Sequence, residues 1–173
     1  MPDFVKDIRL DPFDSERDAD LVLKWINTPH VSQWWGDPSK ALSGLMERPN
    51  GGGDALIIAD EVPVGYIRWQ KPSRAELDAA GLQEIPEDTS MDIDIAIGEP
   101  DYIGLGIGSR AIEILVKDLE TDSGLRTIIL ATSVYNLIAL RAYEKAGFER
   151  RRRFDDPDFG ECWLLTREVR SGI

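Results

Sequence analysis

The chain of 173 residues has one cysteine, one histidine and three methionines, and its apolar runs are short. The lone Cys162 forms no intrachain disulfide, and without CxxC or clustered Cys/His spacing there is no zinc site to read. The sequence is therefore expected to be metal-free and cytoplasmic. No run approaches the ~18 apolar residues of a membrane span. The opening MPDFVKDIRLDPF lacks a basic region followed by an apolar one, so neither export nor membrane insertion is expected.

Positive charge is also scarce. Lysine and arginine number 20 against 32 aspartates and glutamates, a net charge of −12. Such a field repels phosphate backbones and anionic membranes and gathers cations. Nucleic acid and membrane are thus excluded as partners, whereas a cationic small-molecule amine or a basic peptide fits. The run Arg150–Arg153 is too short to reverse that balance and reads as a solvated strand or loop, or a phosphate contact.

What the chain does have is core. Hydrophobic residues make up 42% and are spread along its whole length, which predicts one globular domain over residues 1–173, with no repeat and no linker. Asp7–Pro12 is strand-like. After a start signal at Asp14 and Ser15, Ala19, Val22, Leu23 and Ile26 mark one face of a helix that ends near Asn27. The segment 30–38 (HVSQWWGDP) reads as a loop carrying Trp34 and Trp35, and Ala41–Met46 as a short helix. Ala55–Ala59 and Pro63–Trp69 form a hairpin about Asp60 and Glu61. Lys71–Thr89 reads as a long polar surface excursion. Met91–Ile97 alternates, with Met91, Ile93, Ile95 and Ile97 on one face and Asp92, Asp94 and Ala96 on the other. Thr127–Thr132 is a buried strand, and Phe148–Phe154 with Cys162–Thr166 a final pair.

Between these, Gly104-Leu-Gly106-Ile-Gly108-Ser109 leads into a helix marked by Ile112, Leu115, Val116 and Leu119. A glycine turn opening a helix lets backbone N–H groups approach a phosphate in the positive potential of the helix start. It also occurs simply where a helix packs close to a strand. No Lys-Ser/Thr follows Gly108, so it is not a Walker loop. About thirty residues on, a third helix, Leu137–Ala146, is capped by Gly147.

The stretch Asn136-x-x-Ala139-x-x-x-Tyr143-x-x-x-Gly147-Phe148, together with the glycine turn, resembles the GNAT superfamily of acyl-CoA-dependent N-acyltransferases. Ile103 stands where that superfamily usually has Arg or Gln ahead of its GxG. The N-terminal Trp25–Gly36 stretch, Val64-Gly-Tyr66 and the strand ending in Ile93-Asp94 look like the aminoglycoside 6'-N-acetyltransferases, although Ala131 occupies a position where those enzymes carry an acid. The resemblance implies a mixed α/β fold, a twisted sheet of about seven strands with helices on both faces. It also implies acetyl-CoA as cosubstrate and no metal.

Carried over residue by residue, the resemblance gives Ile95, Ala96 and Ile97 as backbone partners of pantetheine, and Leu105, Gly106, Ile107, Gly108 and Ser109 as the pyrophosphate cradle. Asn136 and Ala139 stand beside the pantetheine arm. Asp94 becomes the base, aided by Asp92, and Tyr143 the acid to the leaving thiolate. Trp34, Trp35, Asp92, Glu84 and Glu87 would meet the acceptor. Read without the resemblance, Asp92 and Asp94 are equally the solvated face of a strand, and Tyr143 a packing residue. The expected activity is acetyl-CoA-dependent N-acetylation of a primary amine on a cationic small molecule, by direct transfer. The rivals are acylation of a siderophore, lysine or peptide N-terminal amine, and a non-catalytic acyl-CoA-binding sensor. Monomer and homodimer are both open.

Overall fold

The computed structural model describes residues 3–122 and 124–169. Seven strands form one open sheet, ordered β1-β2-β3-β4-β5-β7-β6. They are β1 (Ile8–Pro12), β2 (Gly53–Ala59), β3 (Val62–Gln70), β4 (Ser90–Ile97), β5 (Thr127–Ser133), β6 (Glu149–Asp156) and β7 (Gly160–Glu168). Every neighbouring pair is antiparallel except β4 and β5. The helices are α1 (Ser15–Ile26), α2 (Pro29–Trp35), α3 (Pro38–Met46), α4 (Arg74–Ala79), α5 (Ile107–Leu119) and α6 (Leu137–Lys145).

Local chemistry sets these boundaries. Asp14 caps α1, its Oδ1 accepting from the N–H groups of Glu16 (2.9 Å) and Arg17 (3.1 Å), and Asp18 accepts in return from the Asp14 N–H (3.0 Å). The β2–β3 hairpin turns at Asp60 and Glu61, with φ of 45° and 69°, as a two-residue type I′ turn requires. The alternation in β4 survives intact. Met91 and Ile93 enter the back-face core with Ile57, Ile67, Ile128 and Leu130, beneath Ile112, Leu115 and Val116 of α5 and Leu140 of α6.

The front face is covered in two patches. Val22, Trp25 and Ile26 of α1 and Leu45 of α3 pack on Leu56, Ile58 and Tyr66. Leu77, Leu82 and Ile85 pack on Ile129, Phe154, Cys162 and Leu164. Between the patches lies β4 with its two aspartates.

Two segments differ from the sequence expectation. Residues 30–38 are not a loop: they hold α2 and the start of α3, each with a proline in its first turn, where the fixed φ suits a helix and the missing N–H costs nothing. Lys71–Thr89 is not a bare excursion either. Ser73 caps α4, its Oγ accepting from the Glu76 N–H (3.1 Å), and the apolar residues that anchor this cover are too sparse to show a period.

At the end of β4, Gly98 lies against the Trp25 indole, so that a Cβ there would stand 2.0 Å from Cγ. The Trp25 Nε1–H donates to Glu99 (2.9 Å), which holds the ring in place. Gly98→Ala is therefore expected to cost about 1–3 kcal/mol through overpacking, seen as a lower denaturant midpoint at unchanged m.

Candidate active site

The site is built where β4 and β5 part. They pair only over Ser90–Asp92 with Thr127–Ile129, and from Ile93 and Leu130 onward each runs on without the other. The backbone edges exposed in that gap follow from the β3–β4 register. The Gly98 N–H donates to the Val64 carbonyl (2.7 Å), and in an antiparallel ladder hydrogen-bonded pairs alternate. Ala96 is thus bonded to Tyr66, whereas Ile95 and Ile97 turn their N–H and C=O groups to the gap. A Cβ on Gly65 would stand 2.5 Å from the Ala96 oxygen, which agrees. Ala96 is accordingly corrected as a backbone partner for a ligand in the gap. The Ile97 carbonyl already accepts from His30 Nε2 (3.1 Å), which must therefore carry that ring's hydrogen, and this contact seats α2 on the end of β4.

Below the gap, Gly104 and Gly106 take φ of 81° and 76°, and Gly106 begins α5 without a side-chain cap. The first intrahelical bond runs from the Arg110 N–H to the Gly106 carbonyl (3.2 Å), so the N–H groups of Ile107, Gly108 and Ser109 have no partner within the helix. The Ile107 side chain is buried in the core, and the Ser109 hydroxyl donates to the Gly106 carbonyl (3.1 Å). Both residues therefore offer backbone alone. Lys145 at the end of α6 brings its Nζ to 3.4 Å from where a Cβ on Gly106 would stand. Glycine-only geometry, free N–H groups and an ammonium at one turn fit a pyrophosphate. The sequence reading missed Lys145 because α6 delivers it from far along the chain.

Asn136 caps α6. Its Oδ1 accepts from the Ala139 N–H (3.4 Å) and its Nδ2 donates to Thr132 Oγ1 (3.1 Å), fixing the start of the helix on β5. Tyr143, 7% exposed, projects from the same helix into the back-face core beside the gap. Burial, and after it the charges of Asp94 and Asp92, push its phenol well above the usual range, so it keeps its proton at neutral pH.

Asp92 and Asp94 share the front face of β4 with Arg68, Gln70 and Tyr66 of β3. Asp92 is half-buried, and its carboxyl is pushed well above the usual range by burial, by Asp94 and by Glu76 of α4. Asp94 is exposed on the same face, with the walls of the cleft crowding its carboxyl. Its carboxyl is raised by that crowding and by Glu76, while Arg68 opposes the rise. Asp94 is raised less than Asp92, which has no such cation beside it. Glu76, absent from the sequence reading, thus joins the aspartates; only folding α4 over the sheet brings it there.

Other expected residues are dispersed. Trp35 anchors in the core, edge-on to Tyr66 at 6.3 Å, and Trp34 is half-buried in the same turn of α2. Glu87 is exposed on the loop after α4. Glu84 is corrected: it is engaged by Arg152 of β6, with Nε–Oε2 at 2.6 Å and Nη2–Oε1 at 2.9 Å, and the guanidinium draws its carboxyl below the usual range. It ties the α4 cover to β6 instead of facing the aspartates. The neighbouring arginines pair likewise, Arg150 with Glu144 and Arg153 with Glu161, so the basic run is locally neutralised. The tip of the β6–β7 turn reaches across the front, Phe159 lying 3.0 Å from the Cβ position of Gly36 and Lys40 standing 3.9 Å from Asp158.

Comparison with known proteins agrees with this geometry. Residues 14–156 match the acetyltransferase (GNAT) domain. The aminoglycoside N(6')-acetyltransferase type 1 of Klebsiella pneumoniae is 28% identical over 167 residues, spanning 90% of this chain and 81% of that protein. A kanamycin resistance protein of Rhizobium radiobacter is 38% identical over 78 residues, 44% of this chain and 72% of that one. The fold superimposes on aminoglycoside acetyltransferase AAC(6')-Ib, solved in complex with coenzyme A and kanamycin, with a TM-score of 0.77 at 23% identity, over 94% of this chain and 95% of that one. A parted parallel strand pair, a glycine turn under it and a match over most of the length converge: the chain belongs to the GNAT family and is an acetyltransferase.

Proposed function

We propose that the whole chain acts as one cytoplasmic domain that acetylates a primary amine of a cationic small molecule, with an aminoglycoside 6'-amine as the leading acceptor. The observation that carries this reading is the trio Asp92, Asp94 and Glu76, mutually repelling carboxylates gathered beside the gap between β4 and β5. Such a cluster is stabilised by an incoming cation. The relatives' acceptors support the choice of amine.

Acetyl-CoA supplies the activated acyl carbon; the amine nitrogen bonds to it as the carbon–sulfur bond breaks. In this reading the backbone of Ile95 and the Ile97 N–H hold the pantetheine arm as an added strand. The N–H groups of the Leu105–Ser109 turn bind the pyrophosphate, with Lys145 providing the charge that Ile103 does not. Asn136 and Ala139 position the start of α6 beside that arm. Asp94 takes a proton from the bound ammonium so that the neutral amine attacks, and Tyr143, which is protonated at neutral pH, gives one to the leaving thiolate and is reprotonated as the new amide nitrogen loses its extra proton. In this reading Trp34 and Glu87 meet the acceptor. Ala131 is exposed on β5 and offers no carboxylate. This favours, as a second reading, a siderophore, lysine or peptide N-terminal amine as acceptor.

Thiol release from acetyl-CoA with kanamycin-type acceptors, beside matched 6'-hydroxyl analogues, is expected to saturate and to require the 6'-amine. Release with simple amines or peptides alone would move the assignment to the second reading. Asp94→Asn is expected to lower kcat by about 10²-fold or more with acetyl-CoA binding, read by calorimetry, unchanged. Equal loss of both would remove Asp94 as base.

The raised carboxyl of Asp92 also bears on stability. Its proton is held more tightly in the folded than in the unfolded chain, so its stabilising contribution is complete below about pH 3.9 and lost as pH rises through the raised value. Asp92→Asn is expected to raise Tm at pH 8 by about 2–4 °C, the effect of about 1 kcal/mol in a chain of this size, and to leave Tm unchanged near pH 3.5. Differential scanning calorimetry at the two pH values checks this.

A further inference from the structure

Three side chains stand in a row across the front of the sheet. Asp54 on β2 is register partner to Arg68 on β3, and Arg68 to Asp94 on β4. Directly opposed residues place their Cβ atoms roughly 4.5–5.5 Å apart, so Arg68 is flanked by an aspartate on each side, near enough for its charge to act on both though without a direct ion pair. The register partner of Asp92 is Gln70, which carries no charge.

Arg68 is 7% exposed. Its Nη2 donates to the Glu47 carbonyl (3.0 Å), which ties it to the end of α3, while its Nη1 is buried without a hydrogen-bond partner. A buried cation with an idle donor is costly unless nearby charge answers it. Asp54 is partly committed elsewhere, since it accepts from the Tyr66 hydroxyl (2.9 Å). Asp94 is the neighbour whose carboxylate lies open to the cleft.

We propose that Arg68 is a positioning residue for the transfer reaction: standing beside Asp94 and not beside Asp92, it makes Asp94 the ionised carboxylate that receives the amine's proton and leaves Asp92 the protonated one. The inference rests on Asp94 being the base, as set out above. Two carboxylates two residues apart on one strand face repel, and unequal surroundings then divide their roles. The groups facing the pair are Glu76 from α4 and Arg68 and Gln70 from β3, with Asp54 and Tyr66 behind Arg68, while Tyr143 from α6 stands in the back-face core within reach of their charge. Arg68 is the positive charge acting on Asp94, whereas at Asp92 burial, Asp94 and Glu76 all act in one direction.

The test is a carboxyl NMR titration of the whole protein labelled at aspartate Cγ, with Asp94→Asn and Asp92→Asn assigning the two resonances. Asp94 is expected to titrate below Asp92. Arg68→Gln should move the Asp94 midpoint up by about one pH unit or more, and Arg68→Lys, which keeps the charge, should hold it near the wild-type value. Asp54→Asn, which removes the competing carboxylate, should move it down. The acid limb of kcat should follow the same order across these variants.

Midpoints for Asp94 and Asp92 that stay put in Arg68→Gln, with activity falling equally at every pH, would overturn the proposal and leave Arg68 as packing alone. If Arg68→Gln fails to fold, Arg68→Lys and Asp54→Asn still decide it, since an unmoved Asp94 midpoint in Asp54→Asn also counts against it. The base assignment fails separately, through full turnover in Asp94→Asn. In that case the titration order can hold while the catalytic reading does not.

Discussion

The constraint on which the rest of the molecule depends is the early parting of β4 and β5. Two parallel strands that separate after a few pairs leave backbone donors and acceptors without partners on both inner edges. Those groups must be satisfied by water or by a ligand of matching repeat. A twisted sheet spreads there naturally, because its two antiparallel halves are each held by their own hairpins and coil apart about the single parallel contact. The back-face core fixes the hinge of the opening, with Ile93 and Leu130 on its two sides beneath α5 and α6. Both helices start near the gap, so each delivers its N-terminal end to what lies in it.

Charge is arranged to suit this opening. The chain is acidic overall, and the arginines of β6 are each answered by a carboxylate, Glu144, Glu149, Glu84 and Glu161. The cationic groups that matter at the site are few and placed one by one: Lys145 at the glycine turn and Arg68 in the row between Asp54 and Asp94. The glycine-turn side of the gap thus carries positive charge and the side of Asp92, Asp94 and Glu76 negative, although both sit in a molecule of net −12. Low dielectric around Asp92 and Tyr143 makes single neighbouring charges count for more than they would in water.

The parts of this arrangement legible in the sequence were those carried by period or by local turn chemistry. The alternation of Met91–Ile97, the hairpin at Asp60 and Glu61, the cap at Asp14 and the glycine turn each have a short-range cause, and each is found where expected. What escaped was made by tertiary contact. Leu77, Leu82 and Ile85 show no helical spacing, yet they hold α4 on the sheet and bring Glu76 to the aspartates. The reverse holds for Glu84, whose partner Arg152 lies 68 residues on and is adjacent only in the fold. Ala96 was placed on the correct face, but the direction of its backbone depends on ladder phase, which side-chain period does not encode.

The meeting of Phe159 with Gly36 has a mechanical consequence. The α2–α3 turn is seated on the β2–β3 half of the sheet and the β6–β7 tip belongs to the other half, so their contact bridges the crack between the halves like a staple across a split board. A crack stapled at its mouth and clamped at its root can widen in the middle only by bowing. The contact is made by the Gly36 backbone, whose φ of 79° disfavours any side chain, and by one aromatic ring. Spreading the halves means sliding that ring off the glycine, at a point far along the chain from where β4 and β5 part.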